Sequence, residues 1–126
     1  MTEGICPSGW HIPTDGEWQT MEMSLGMSES EAAQTGGRGS PVGDYMKSTS
    51  GWNGGGNGSN SSGFTGLPGG YRYSGGFDDD GYGGYWWSAS ESGSDSWTRT
   101  LYYGTDDVSR DDVNRNDGFS ARCVRD

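Results

Sequence analysis

Apolar residues follow a helical spacing near the start of the chain. Trp18, Met21 and Leu25 recur three and four residues apart, which predicts an amphipathic helix. Thr14 and Glu17 have the spacing of a capping box, in which each side chain bonds the backbone amide of the other residue. The first helix is therefore expected to begin just after Thr14.

The same signature returns a few residues later, beyond Gly26, which is a natural end for the first helix. Ser28 and Glu31 repeat the capping pattern ahead of Ala32 and Ala33. This pattern predicts a second, short helix.

From Phe64 onward the pattern changes to short apolar or aromatic pieces separated by Gly, Asp and Ser, which is typical of short strands joined by turns. The Gly, Ser and Asn residues of 36–63 predict ordered surface loops instead. A helical start followed by strands and loops favours an α+β domain that occupies residues 1–126. The predicted strand segments are 64–67, 71–73, 85–88, 97–103 and 118–124.

Only 29% of the 126 residues are hydrophobic, but 6 Trp, 7 Tyr and 3 Phe supply large buried areas per residue. A small aromatic core is therefore expected. The residues expected to form much of it are Trp10, Trp18, Trp86, Trp87, Leu101, Phe119 and Val124.

The formal net charge of -10 disfavours nucleic acid as a partner, because phosphate neutralisation requires clustered Lys and Arg. No apolar run is long enough to insert into a membrane. Met1, Thr2 and Glu3 lead straight into Gly4, so any targeting segment is expected to lie outside this chain.

Cys6 and Cys123 are the two cysteines, and they stand near opposite ends of the sequence. A disulfide between them would join the ends of the chain and would indicate an oxidising, extracytoplasmic compartment. Two buried free thiols are the alternative.

The sequence offers few candidates for catalytic residues. His11 is the one histidine and is interpreted as a structural residue, and a zinc site would need more N or S ligands than the chain offers. We therefore expect neither an enzyme nor a required cofactor. Carboxylates cluster at 78–80, 106–107 and 111–112, where calcium is possible but solvated loop residues are the simpler interpretation.

Several sequence blocks, in order along the chain, resemble the Fibrobacter succinogenes major paralogous domain. The blocks are CPSGWHIPTDGEW (6–18), KSTSGW (47–52), LPGGYR (67–72), GYWWS (84–88) and GFSARCVRD (118–126). IPTDGEW (12–18) and the final GF with RCVR look more distantly like formylglycine-generating enzymes. Both resemblances imply a C-type-lectin-like fold with adjacent terminal strands, which supports a Cys6–Cys123 disulfide. The enzymes use a pair of cysteines in their later half, and no second cysteine accompanies Cys123 here.

The composition of the second half is restricted. From Ser48 to Asp126 there is no Lys, Gln or Met, and Glu91 is the only Glu. Tyr, Ser, Gly, Asp, Thr, Asn and Arg dominate, which all arise when the adenines of an Asn codon are randomised, whereas Lys, Gln, Glu, Met and Trp do not. This pattern resembles the variable proteins of diversity-generating retroelements, which display such positions on a C-type-lectin-like scaffold. A natural turn-rich segment without hypervariability is the alternative.

A diversified region at about 71–117 would serve as a ligand-binding surface, since Tyr with small polar residues is the usual composition of antibody-like paratopes. Such positions must lie mostly outside the core and on one face, because repeated core changes cost about 2–5 kcal/mol each. Trp86, Trp87 and Glu91 are expected beneath or beside this face, and about half of the tyrosines Tyr73, Tyr82, Tyr85, Tyr102 and Tyr103 are expected to be buried. The residues predicted to form the face are Tyr73, Ser74, Asp78, Asp80, Tyr82, Tyr85, Asp95, Thr98, Thr100, Tyr102, Thr105, Asp106, Asp107, Ser109, Asp111, Asp112 and Asn114.

The expected partner is a protein or a glycan, and the expected location is extracellular or cell-surface, including display on a phage. Two other functions remain open. One is a non-variable structural or carbohydrate-binding module of a bacterial surface protein. The other, favoured less, is an enzyme of the formylglycine-generating type.

Overall fold

The computed structural model describes residues 4–126, so the expectation about Met1, Thr2 and Glu3 concerns residues outside this range. The helices and strands in chain order are β1 (Trp10–His11), α1 (Asp15–Ser24), α2 (Glu29–Ala32), β2 (Gly36–Arg38), α3 (Val42–Met46), β3 (Tyr71–Tyr73), β4 (Gly76–Asp78), β5 (Gly83–Ser92), β6 (Asp95–Tyr102), β7 (Val108–Asn114) and β8 (Val124–Arg125). A short 3-10 helix covers Asn53–Gly55. The expected α+β class is confirmed.

The ends of the described chain lie side by side. β1 and β8 pair antiparallel, with Trp10 opposite Arg125. The predicted disulfide between Cys6 and Cys123 is present, with the two Cα atoms 5.8 Å apart. Because this bond closes a loop of 117 residues, it restricts the unfolded chain strongly, and the chain-entropy model assigns it on the order of 4–5 kcal/mol.

Both predicted capping boxes are present. The Thr14 hydroxyl accepts a hydrogen bond from the Glu17 amide, and the Glu17 carboxylate accepts one from the Thr14 amide. Ser28 and Glu31 make the same reciprocal pair at the start of α2. These local bonds fix where α1 and α2 begin.

The main sheet has four strands in the order β2–β7–β6–β5, and all its neighbouring strands are antiparallel. β3 and β4 form a separate hairpin. Residues 118–120 extend the sheet beyond β5, because the Trp87 amide donates to the Ser120 carbonyl and the Ser120 amide donates to the Tyr85 carbonyl. The predicted strand at 64–67 is reduced to a bridge between Lys47 and Gly66.

The hydrophobic core lies between α1 and one face of the main sheet. Trp18, Phe64 and Trp86 form an aromatic cluster with tilted and edge-to-face rings, in which neighbouring ring centroids are 5.6 Å and 5.4 Å apart. Leu101 and Met46 are fully buried beside them. Trp18, Trp86 and Leu101 are therefore core residues, as expected.

Four other core predictions need correction. Trp10 is 44% exposed, since β1 lies at the joined ends of the chain, where its ring is 5.9 Å from the Arg125 guanidinium. Trp87, Phe119 and Val124 are only partly buried. Trp87 follows Trp86 directly in β5, and successive strand residues point to opposite faces of a sheet, so the two rings do not share the core.

A cluster of charged side chains is buried beside the aromatic cluster. Arg99 donates to Asp15 Oδ1 at 2.6 Å and to Glu22 Oε2 at 2.8 Å. Arg110 donates to Asp15 Oδ2 at 2.8 Å, and Arg38 donates to Glu22 Oε1 at 2.7 Å. Both carboxylates belong to α1 and the three guanidinium groups belong to β2, β6 and β7, so these ion pairs dock the helix on the sheet.

Candidate functional site

The register of the main sheet separates two faces. Leu101 in β6 faces the core, and side chains directly opposite each other in antiparallel strands share a face. Thr100 therefore points away from the core, together with its partners Tyr85 in β5 and Ser109 in β7. We call this solvent-facing side of β5–β6–β7 the outer face.

Aromatic rings cover the β5 side of the outer face. Phe119 stacks on Trp87 with ring centroids 4.7 Å apart and contacts Tyr85 at 5.2 Å. Tyr71, from β3, lies 4.9 Å from Tyr85 and 6.0 Å from Phe119. A groove of about 360 Å³ runs past this group, between Phe119 and the exposed Phe77 of the hairpin.

Polar side chains occupy the rest of the outer face. Thr98, Thr100, Ser109 and Asp111 share it by register. Thr98 was expected to be exposed but is only 1% exposed, and its hydroxyl donates to the Asp111 carbonyl at 2.9 Å. That hydrogen bond satisfies its polar atom within the sheet, so Thr98 supports the face and does not form its surface.

A second group of tyrosines lies at the end of the sheet where β5 begins and β6 ends. The Tyr103 ring is 5.1 Å from both Tyr82 and Tyr102. Tyr82 is 44% exposed and Tyr102 is 39% exposed, so both rings present large surfaces to solvent. Gly54 lies close to the Tyr103 ring, since a Cβ at this position would be 3.0 Å from two of its ring carbons. We call residues 53–60, which include Gly54, the Gly-rich loop.

One carboxylate links the two aromatic groups. The Tyr85 hydroxyl donates a short hydrogen bond to Asp79, and burial together with this bond raises the pKa of Tyr85. The charge of Asp79 is also the main reason that the pKa of Tyr102 is raised. Both phenols therefore stay neutral at physiological pH and beyond it.

Most residues predicted for the binding face are at the surface. Among the seventeen, only Thr98 is buried, while Tyr85, Asp95, Thr100, Asp107 and Ser109 are partly buried. The remaining eleven are exposed, which agrees with positions that tolerate substitution. They are Tyr73, Ser74, Asp78, Asp80, Tyr82, Tyr102, Thr105, Asp106, Asp111, Asp112 and Asn114.

Three predicted residues of β6 and β7 do not join the outer face. Asp95 pairs with Asn114, and Asp112 pairs with Trp97. By alternation all three lie on the side of the sheet that carries Leu101, at the end of β6 opposite Tyr102. The expectation of one continuous face was wrong for these residues, because β6 and β7 each present alternate side chains to both sides.

The supporting residues and tyrosines also differ in part from expectation. Trp86 lies in the core beneath the outer face, as predicted, but Glu91 has a side chain that is 75% exposed, 3.7 Å from Arg115. Of the five tyrosines considered, Tyr85 and Tyr103 are partly buried and the rest are exposed. Sequence reasoning missed the outer-face aromatics Tyr71 and Phe119 as surface residues; their proximity arises from the hairpin and the segment 118–120.

The two ring nitrogens of His11 face carboxylate acceptors, Asp126 at 2.6 Å and Glu17 at 2.9 Å, at the junction of β1, β8 and α1. Within the described part of the chain, no three His, Cys, Asp or Glu side chains are grouped to hold a metal ion. Over the same residues no helix has the length and apolar character needed to cross a bilayer.

These features define a small α+β domain whose ends are joined by a disulfide and whose sheet presents an aromatic and polar face to solvent. Residues 1–125 match the family description "Fibrobacter succinogenes major domain". The chain belongs to that family. No curated protein and no solved structure matches the chain.

Proposed function

We propose that this domain is a C-type-lectin-like binding module that recognises a protein or glycan ligand through the outer face and the adjoining tyrosines, and that it is not an enzyme. The observation that carries the proposal is the position of Tyr82 and Tyr102. Both rings are about two-fifths exposed at the rim of a rigid sheet. Large exposed aromatic side chains on a rigid support are typical anchors of binding surfaces.

Diversification of this face by a retroelement is the second part of the proposal. Tyr85, Thr100, Ser109 and Asp111 all have identities that a randomised Asn codon can encode, and all four lie on the outer face. Core residues directly behind them, such as Trp86 and Leu101, carry the packing. A change of side chain on the outer face therefore leaves the hydrophobic core intact.

A location outside the cytoplasm follows from the same proposal. The disulfide persists in oxidising surroundings, which suits a domain displayed on a cell surface or on a phage. A non-variable structural or carbohydrate-binding module of a bacterial surface protein is the second candidate, and the aromatic groove beside Phe119 favours its carbohydrate-binding form.

Binding to arrays of proteins and glycans tests the proposed function. The oxidised chain is screened first, and each hit is measured again with Tyr102→Ala and with Trp10→Ala. Trp10 is the matched control, because it is an aromatic residue of similar exposure that lies away from the outer face. We expect Tyr102→Ala to weaken binding about tenfold or more and Trp10→Ala to change it less than twofold.

Two results would count against this function. Loss of binding with Trp10→Ala but not with Tyr102→Ala would place the ligand elsewhere. Turnover of a substrate in hydrolase or oxidase screens by the purified chain would contradict a purely binding role.

A further inference from the structure

The fold buries cations and leaves carboxylates outside. Among residues 4–126, four of the eight Lys and Arg side chains are buried, against two of the seventeen Asp and Glu side chains. The buried set therefore holds a net charge of +2, and the remainder of the chain carries -12 where the whole chain carries -10. The buried cations are Arg38, Lys47, Arg99 and Arg110.

Part of this uncompensated charge lies next to the exposed tyrosines. We define the tyrosine patch as Tyr71, Tyr82, Tyr85, Tyr102 and Tyr103. The loop 78–80 precedes β5 and the loop 105–107 follows β6, and Gly83 pairs with Tyr102, so both loops lie at the same end of the sheet as the patch.

The carboxylates of the two loops differ in their partners. Asp106 lies 3.5 Å from the buried Lys47 ammonium, which offsets its charge. Within residues 4–126, Asp78, Asp79 and Asp80 form no ion pair. Asp79 accepts a hydrogen bond from the Tyr85 hydroxyl, while Asp78 and Asp80 are exposed. The patch thus joins the exposed rings of Tyr82 and Tyr102, with three partly buried tyrosine rings, to carboxylates that lack a counter-ion.

Rings and carboxylates attract the same kind of group. The face of an aromatic ring is negative and binds an ammonium or guanidinium group, and an unpaired carboxylate adds direct charge attraction. A neutral glycan would use the rings and donate hydroxyl hydrogen bonds to the carboxylates but would gain no charge–charge attraction, and an acidic ligand would be repelled by them. The surrounding negative field would also speed the approach of a basic partner.

We infer that the tyrosine patch with Asp78, Asp79 and Asp80 recognises a basic segment of a protein ligand, seating Lys or Arg side chains among the rings. The inference rests on the proposed binding function and names the ligand class for that surface. Asp78 and Asp80 supply attraction at the rim, and Asp79 orients the Tyr85 hydroxyl beneath it.

Binding of defined peptides by NMR titration of the full chain tests the inference. The probes are an Arg-Gly-Arg-Gly-Arg peptide, the same peptide with Gln in place of Arg, and a neutral oligosaccharide. We expect the Arg peptide to shift the resonances of the tyrosine patch and the Gln peptide to bind at least tenfold more weakly. Asp78→Asn with Asp80→Asn should weaken the Arg peptide about fivefold.

A matched pair of substitutions separates local recognition from overall charge. Glu29→Gln with Asp112→Asn also removes two exposed carboxylates, but neither residue belongs to the patch. This control should change Arg-peptide binding less than twofold. Equal weakening by both pairs, equal binding of the Gln peptide, or no binding of the Arg peptide overturns the inference. If an array ligand depends on Tyr102 but carries no cation, the inference fails while the binding function stands.

Discussion

Among single side chains, Asp15 is a buried carboxylate held by two arginines. It lies at the first turn of α1 between the guanidinium groups of Arg99 and Arg110. Burial alone would raise the pKa of Asp15, but the hydrogen bonds and charges of the two arginines outweigh it and lower the pKa from its ordinary 3.8 to about 2. The carboxylate is therefore ionised in the folded protein throughout the physiological range.

Replacing Asp15 by Asn should destabilise the domain by about 3–5 kcal/mol, since two buried cations lose their partner. The pH dependence follows from the lowered pKa. The stabilising contribution is complete above about pH 4 and is lost as pH falls toward 2, with a span of about 2 kcal/mol. Denaturant unfolding between pH 2 and 5 measures both effects.

The exposed carboxylate Asp111 provides the control for that experiment. Asp111→Asn should leave the slope of stability against pH between 2 and 4 almost unchanged. A parallel pH dependence for Asp15→Asn and the native chain would show that Asp15 does not carry the effect.

His11 gives a second titration, at the joined ends of the chain. Its hydrogen bonds to Asp126 and then to Glu17 raise its pKa above the ordinary 6.5. Its contribution to stability is therefore present below pH 6.5 and is lost as pH rises through the folded-state pKa. NMR titration of the imidazole should give a pKa above 6.5 that decreases in Asp126→Asn; a value at or below 6.5 in the native chain contradicts these contacts.

Among helices and strands, the sequence predicted correctly those elements whose signals come from residues close together in the chain. The capping boxes at Thr14 and Ser28 place α1 and α2 correctly, because their bonds join residues three apart in sequence. The aromatic runs of β5 and β6 were likewise recognised as strands. β5 extends further than predicted at both ends, whereas β6 begins two residues earlier and ends one residue earlier than predicted.

β7 was missed for a physical reason. Its sequence, VSRDDVN, has few apolar residues, and the inward position in its centre is taken by Arg110. That arginine is buried only because Asp15 meets it from α1, a contact across 95 residues that no local pattern reveals. Arg38 and Arg99 were likewise not predicted as core residues, because their partners Glu22 and Asp15 come from α1. The sequence therefore did not reveal the buried ion pairs behind the candidate face.

The Gly-rich loop supports the tyrosine patch through close packing. A Cβ on Gly56 would lie 2.5 Å from the Tyr103 carbonyl oxygen, whereas one on Gly104 would meet nothing within 4 Å. Gly56→Ala should therefore cost about 1–3 kcal/mol and disturb the Tyr82–Tyr103 contact, while Gly104→Ala should stay within about 0.5 kcal/mol. Thermal unfolding with NMR of the tyrosine rings measures both; equal effects would contradict the packing.

The proposed diversification predicts which strand codons vary and which stay constant. In copies of this gene from one population, substitutions at template adenines should concentrate at outer-face codons such as those of Tyr85, Thr100 and Ser109. Codons of the inward residues Arg99 and Arg110 should stay constant, because each change breaks a buried ion pair. Deep sequencing of the region 71–117 measures this. Substitutions spread evenly over both faces, or absent altogether, would contradict diversification of this face.

Across the domain, the residues that stabilise the fold are separate from the face proposed for ligand binding. The disulfide and the β1–β8 pair join the ends, and the ionic cluster holds α1 against the inner face of the sheet. The outer face then needs few of its own side chains for stability. An acidic surface of this kind should also make association with a basic ligand weaken as ionic strength rises.

Ligand binding at the outer face and its tyrosine patch is the proposed function, and amide hydrogen exchange locates the bound surface. The oxidised chain is measured with and without a ligand from the array screen. We expect slower exchange in residues 78–87 and 100–107, with β1, β8 and α1 unchanged. Protection confined to the joined ends or to α1, with none at Tyr82 to Tyr85 or Tyr102 to Tyr103, would place the ligand elsewhere and refute binding at the outer face.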